Sequence, residues 1–77
     1  MRVHNTVGYR VHAEKHPTRN EWSPSGEIFF LHRGEVPVQT FDSLGDDLYP
    51  TKEEAIQAGA SILRDKIDAA ISKGQGS

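Results

Sequence analysis

Cysteine is missing from this chain. Its absence removes disulfide staples, thiolate metal ligands and cysteine nucleophiles together. A small disulfide-free sequence suits a reducing compartment, and a cytoplasmic location is expected. No apolar run approaches the roughly 18 residues of a membrane-spanning helix, and the opening residues, Met1 to Gly8, lack the apolar stretch of a secretion signal. A basic excess is lacking too. Nine Lys and Arg stand against eleven Asp and Glu, a net charge of −2, whereas general nucleic-acid binders usually carry clear positive charge. The phosphate-cradling G-x-x-x-x-G-K-[ST] loop, the dinucleotide G-x-G-x-x-G turn and the G-x-S-x-G nucleophile elbow do not occur. Ser23 and Ser25 sit instead in a Pro/Gly-containing stretch. With 77 residues, one domain at most is expected, burying about 60% of the surface its unfolded chain exposes. Such a domain has little volume for a ligand pocket of about 300 Å³ or more. The expectation is a single domain over residues 1–77, ordered from about 6 to 73, that is not an enzyme and needs no cofactor.

What is present is a strand-rich first half and a helical second half. Residues 1–41 hold Arg2, Arg10, Lys15, Arg19 and Arg33 against Glu14, Glu21, Glu27 and Glu35, together with all four histidines, whereas residues 42–77 are acidic. Val7, Tyr9, Val11 and Ala13 alternate with Gly8, Arg10, His12 and Glu14, the period of a half-buried strand. Residues 17–26, with two prolines and a glycine, read as a long loop or as one hiding an early start to the next strand. Glu27 to Arg33 reads as a central strand, apolar on both faces. Gly34-Glu35 suits a two-residue hairpin turn. Val36 to Phe41 follows as a third strand, placed at an edge because Pro37 donates no backbone hydrogen bond.

Thr51 and Glu54 have the spacing of a capping box. They open a helix that ends near Gly74 and carries Ile56, Gly59, Ala60, Leu63, Ile67, Ala70 and Ile71 on one arc. Gly59 lies on that arc, which points to close approach against the sheet. The expected architecture is therefore α+β: a three-stranded antiparallel meander with one long C-terminal helix on one face.

One helix covers one face of a sheet, so the other face becomes the question. A turn at Gly34-Glu35 pairs Leu31 with Val38 and Phe29 with Thr40, beside Tyr9 and Val11 under the helix. It leaves Ile28, Phe30, His32, Gln39 and Phe41 with Arg10 and His12 on the far face. A change of one residue in the turn exchanges the two sets. Three readings of the uncovered face stand open: core covered by the Trp22 loop or the N-terminal residues, a homodimer interface, or a ligand surface. Aromatic side chains flanked by Arg and His are how single-strand binders stack bases and hold phosphates.

The candidate binding residues are Arg10, His12, Arg19, Trp22, Phe30, His32, Arg33 and Phe41. Among the histidines only His12 and His32 can converge as cross-strand neighbours, and two nitrogens with no nearby carboxylate make a weak zinc site. Asp42, Asp46 and Asp47 around Gly45 lack the ligand spacing of a calcium loop. No metal is expected.

The order of strands and helix, entered through Tyr49-Pro50-Thr51-Lys52-Glu53-Glu54-Ala55, resembles that of small single-domain bacterial proteins over most of residues 7–72. The same entry resembles the AP2-type and integrase arm-type DNA-binding domains, which back three antiparallel strands with a helix and read DNA with Arg and Trp on the open sheet face. That resemblance implies Arg10, Arg19, Trp22 and Arg33 as counterparts, though those domains carry more Arg and Lys on their strands. The leading expectation is a non-catalytic interaction module acting through the open face and the 17–26 loop, with a protein partner or itself as a homodimer. The alternative is a weak nucleic-acid-binding module.

Overall fold

The structure, a computed structural model, describes residues 2–30 and 36–75. Four strands are found among them: β1 (Arg2–His4), β2 (Val7–Lys15), β3 (Trp22–Phe30) and β4 (Pro37–Phe41), followed by one helix, α1 (Lys52–Gln75). The strands form one antiparallel sheet in the order β1-β2-β3-β4. The α+β class and the C-terminal helix are as expected; the strand count is corrected first. The sheet has four strands rather than three, because Arg2–His4, outside the expected 6–73 core, folds back on β2. The turn is Asn5-Thr6, with φ of 50° and 65°. Both residues at positive φ is the signature of a type I′ hairpin, whose twist matches that of its strands. Asn adopts this region readily, whereas a β-branched Thr does so at a cost. Asp68 of α1 steadies the hairpin, accepting from Asn5 Nδ2 at 2.6 Å and meeting His4 Nε2 at 2.7 Å.

The second correction concerns residues 22–26, which are strand. The connecting loop is only 16–21, closed by a hydrogen bond from His16 N to Glu21 O of 2.8 Å. Pro24 sits within β3 without harm. Trp22 and Tyr49 exchange backbone hydrogen bonds of 2.7 and 2.8 Å, and Leu44 N donates to Pro24 O at 2.9 Å. The connection after β4 thus completes the sheet alongside the first half of β3. By the two-residue alternation of a strand, the N–H that Pro24 lacks would have pointed to this same side.

Which face α1 covers follows from the pairing of β2 with β3. Tyr9 lies opposite Ile28, Val11 opposite Gly26 and Ala13 opposite Pro24, and this is the set beneath the helix. A Cβ added at Gly59 would sit 2.8 Å from Val11 Cγ1 and 2.9 Å from Pro24 Cβ. One added at Gly26 would collide with the Arg10 carbonyl and lie 2.7 Å from Leu63 Cδ1. Glycine at these two crossing points lets the helix lie directly on the strands. Tyr9, Leu44, Ala60, Leu63 and Ile67 form the buried core cluster, each large side chain contributing roughly 1.5–3 kcal/mol. Thr51 Oγ1 accepts from Glu54 N at 3.2 Å, so the helix opens with its expected cap. It runs to Gln75, one residue past the expected stop at Gly74.

The expected assignment of faces is therefore inverted. Ile28, Gln39 and Phe41 lie on the helix side with Tyr9 and Val11, and Phe29 lies opposite. The β3–β4 register is Gly26 with Phe41, Glu27 with Thr40 and Ile28 with Gln39, then Phe29 with Pro37 across a bulge that leaves Val38 unmatched. This is two residues away from the register a Gly34-Glu35 turn would impose. That turn, and Leu31, lie outside the described residues.

Candidate functional site

The face away from α1 is polar. His12, Glu14, Ser23, Ser25 and Glu27 alternate there with Arg10, and His12 Nε2 meets Glu27 Oε1 at 2.6 Å. Two large apolar residues lie on it by register: Val3 of β1, 57% exposed, and Phe29, 0% exposed. Phe29 stands opposite Gly8, which has no side chain, and the Arg10 guanidinium lies 5.1 Å from the centre of its ring. Among the described residues, Gly8, Arg10 and the paired Pro37 are its neighbours on this face. Val3 is the exposed large apolar side chain on this face among the described residues, and the aromatic surface expected here, with Phe30 and Phe41, lies on the helix side instead.

The apolar surface lies on the helix side, beyond the reach of the helix. α1 packs on β2 and β3 and leaves β4 almost untouched. Between the last turns of the helix and β4 runs a groove of about 250 Å³. Val7, Ile28 and Phe30 form its floor, Val38 and Gln39 one wall, and Ile67, Ala70 and Ile71 the other. None of these residues is charged. Phe30 is 39% exposed and Val38 46%, and Val36 just beyond reaches 70%. The bulge matters here, because the unmatched Val38 breaks the alternation of β4 and stands on the groove side together with Gln39.

The groove opens beside the edge of β4, which has no neighbouring strand among the described residues on its outer side. All residues from Val36 to Thr40 are exposed. Gly26 and Ile28 turn their backbone groups toward β4 and pair with Phe41 and Gln39, so Thr40, between these two, turns its N–H and C=O outward. Residues 36–41 carry no charge. Among the described residues, Pro37 and the bulge at Val38 are the guards against strand addition on this edge, and charge is not one of them.

The residues singled out from the sequence do not converge on one site. Arg10 and His12 share the polar face. Arg19, in the 16–21 loop, is held by Glu21 at 3.1 Å. Trp22 opens β3 on the helix side, half-buried, with the Lys52 ammonium 5.9 Å from its ring centre; it is part of the sheet and not the tip of a loop. Phe41 is also on the helix side, 5.0 Å from Lys66 Nζ. Of the described candidates, Phe30 alone borders the groove. His32 and Arg33 lie outside the described residues, and the cross-strand partner of His12 is Ser25. Among the described residues, no group of three or more His, Asp or Glu side chains is placed to hold a metal ion, and no helix is long and apolar enough to cross a membrane. Sequence reasoning missed Val38, Ile67, Ala70 and Ile71 as a surface. Three of them belong to the apolar arc, and the signal for the fourth was the lack of charge throughout 36–41. No protein-family model, curated protein or solved structure matches the chain.

Proposed function

We propose that this protein is a small, non-catalytic interaction module of the cytoplasm. It adds an extended segment of a partner protein to the edge of β4 and seats an apolar side chain of that segment in the groove beside α1. The observation that supports this reading is the juxtaposition of an exposed, uncharged strand edge with an uncharged apolar groove. Strand addition uses both: backbone hydrogen bonds supply affinity, and a pocket for alternate side chains supplies specificity. The matching partner segment is uncharged and extended, with apolar residues at every second position. A nucleic-acid partner has less support. Arg10 and His12 share their face with Glu14 and Glu27, so that face offers phosphates no net attraction.

The test uses short peptides that alternate Val, Ile or Phe with Thr or Gln, titrated while backbone amide signals are followed by NMR. The expected result is that the amides of Val38, Gln39 and Thr40 shift, and that Val38→Asp weakens binding at least tenfold while leaving the helical circular dichroism unchanged. Shifts confined to Arg10 and His12, or equal binding by Val38→Asp, would refute the reading.

A further inference from the structure

The second free edge belongs to β2. β1 is three residues long and pairs only with Val7, Gly8 and Tyr9. Past Tyr9 the outer edge of β2 has no neighbour among the described residues. Even-numbered residues of β2 turn their backbone groups toward β3, so Val11, Ala13 and Lys15 turn theirs outward. We infer that this edge pairs with the same edge of a second copy, antiparallel about a two-fold axis through Ala13, to give a homodimer with one continuous sheet.

Three independent features select this partner and this register. The first is hydrogen bonding. Centring the pair on Ala13 sets Ala13 against Ala13 and Val11 against Lys15 twice, so all three outward residues find partners. Moving the centre toward Arg10 drives Lys15 of the second copy onto Tyr9, which β1 already occupies. Moving it to Glu14 sets two glutamates face to face. The second is charge. In the chosen register His12 of one protomer, whose Nε2 already meets Glu27 of its own chain at 2.6 Å, lies directly opposite Glu14 of the other in the closely spaced non-hydrogen-bonded position, where its second ring nitrogen is the one left for that carboxylate, and the symmetry makes the pair twice. The strand is thus complementary to its own reverse. The third is the position of the helix. α1 packs about equally on β2 and β3, so two helices across a β2–β2 junction are separated by two strand spacings, about 10 Å, which is the distance at which helices pack. The flank of α1 that faces the junction, marked by the contact of Arg64 with Tyr9 Oη, thereby meets its copy at van der Waals range rather than across a gap. A β4–β4 junction would hold the helices at twice that separation. The β2 edge lies across the sheet from β4, so this inference does not depend on the proposed peptide site.

The absence of cysteine makes the test clean, because a single introduced thiol has no competitor. Opposed Ala13 residues in a hydrogen-bonded pair have Cα atoms about 5.5 Å apart, inside the disulfide range of about 4.4–6.8 Å. The expected result is that Ala13→Cys, incubated in a glutathione redox buffer, cross-links nearly completely to a dimer of twice the 8.6 kDa chain, while Thr40→Cys on the β4 edge does not. Light scattering of the native chain should show the same dimer, dissociating on dilution. Ala13→Pro should raise the dissociation constant at least tenfold and keep the helical signal, since it removes an N–H that makes no bond within the protomer. A native chain that stays monomeric at millimolar concentration overturns the inference. So does a dimer that Ala13→Cys fails to lock, or that Thr40→Cys locks instead.

Discussion

Replacing Gly59 with alanine should destabilise the protein, although alanine is the better helix former by about 1 kcal/mol. At an exposed helical position that propensity would appear as added stability. Here the new methyl carbon would sit 2.8 Å from Val11 Cγ1, 2.9 Å from Pro24 Cβ and 3.4 Å from Leu44 Cδ1. Carbon atoms rest about 3.5–4.0 Å apart, so the first two contacts are too close by roughly 0.6 Å or more. Neither neighbour yields easily. Pro24 is a ring within a strand, tied to Leu44 by a backbone hydrogen bond, and Val11 is β-branched and stiff at χ1. The helix must therefore lift, which loosens the buried Ala60 and Leu63 that follow Gly59. Overpacking of this kind costs about 1–3 kcal/mol. Set against the propensity gain, the net loss is about 1–2 kcal/mol at the upper end of that range and near zero at the lower. In a domain this small each kcal/mol shifts Tm by about 4–8 °C. Urea unfolding followed by circular dichroism gives the number, with Ser61→Ala on the exposed face as reference. The double variant Val11→Ala/Gly59→Ala separates the causes: if contact with Val11 is the fault, Gly59→Ala costs less in the Val11→Ala background. A Gly59→Ala protein more stable than the native one by about 1 kcal/mol, the full propensity gain, would refute the close approach of helix and sheet.

Two further predictions test other parts of the fold. Phe29→Ala should cost about 3–5 kcal/mol, as expected for a fully buried ring, and Phe30→Ala clearly less, since Phe30 is partly exposed; chemical denaturation decides, and the reverse order would mean that the register of β3 is wrong. Asp68→Ala should release the N-terminal hairpin without unfolding the domain, because the carboxylate holds both His4 and Asn5; hydrogen exchange at the β1–β2 amides should quicken about tenfold with global stability changed by about 1 kcal/mol or less, and unchanged protection would show that the latch is idle.

How much of this was legible in the sequence depends on whether a segment carried a one-sided pattern. β2 did: its alternation from Val7 to Ala13 fixes its two faces, and the structure keeps them. α1 did, through its apolar arc, its Thr51 cap and the placement of Gly59. β3 did not. Ile28, Phe29 and Phe30 are apolar in succession, so composition cannot say which of them faces the helix; the decision comes from pairing Tyr9 with Ile28, and a pairing is not visible in one segment. The first half of β3 looked like loop because Pro24 and Gly26 are turn formers in most settings. Here the proline still accepts from Leu44 N through its carbonyl, and the glycine clears space for Leu63. β1 is too short to show any period, and its one signal was Asn5 at the turn. The groove was half legible: its helical wall lay on the predicted arc, but the bulge that turns Val38 into it depends on a register that no local pattern sets.

The order β1-β2-β3-β4 also bears on how the chain folds. Every strand is paired with the strand next to it in sequence, across a two-residue turn between β1 and β2 and the 16–21 loop between β2 and β3. Closing such loops costs little entropy and brings no distant segments together. The capped helix likewise forms through contacts within itself. The non-local step is the docking of α1 on β2 and β3, which are separated from it by the whole of β4 and the connection that carries Leu44. Docking joins parts that already have their shape, so the search it ends is short, and folding should be fast for a sheet protein. Leu44, tied to Pro24 on one side and buried against the helix layer on the other, is where the two halves meet, and its substitution should slow folding more than it speeds unfolding.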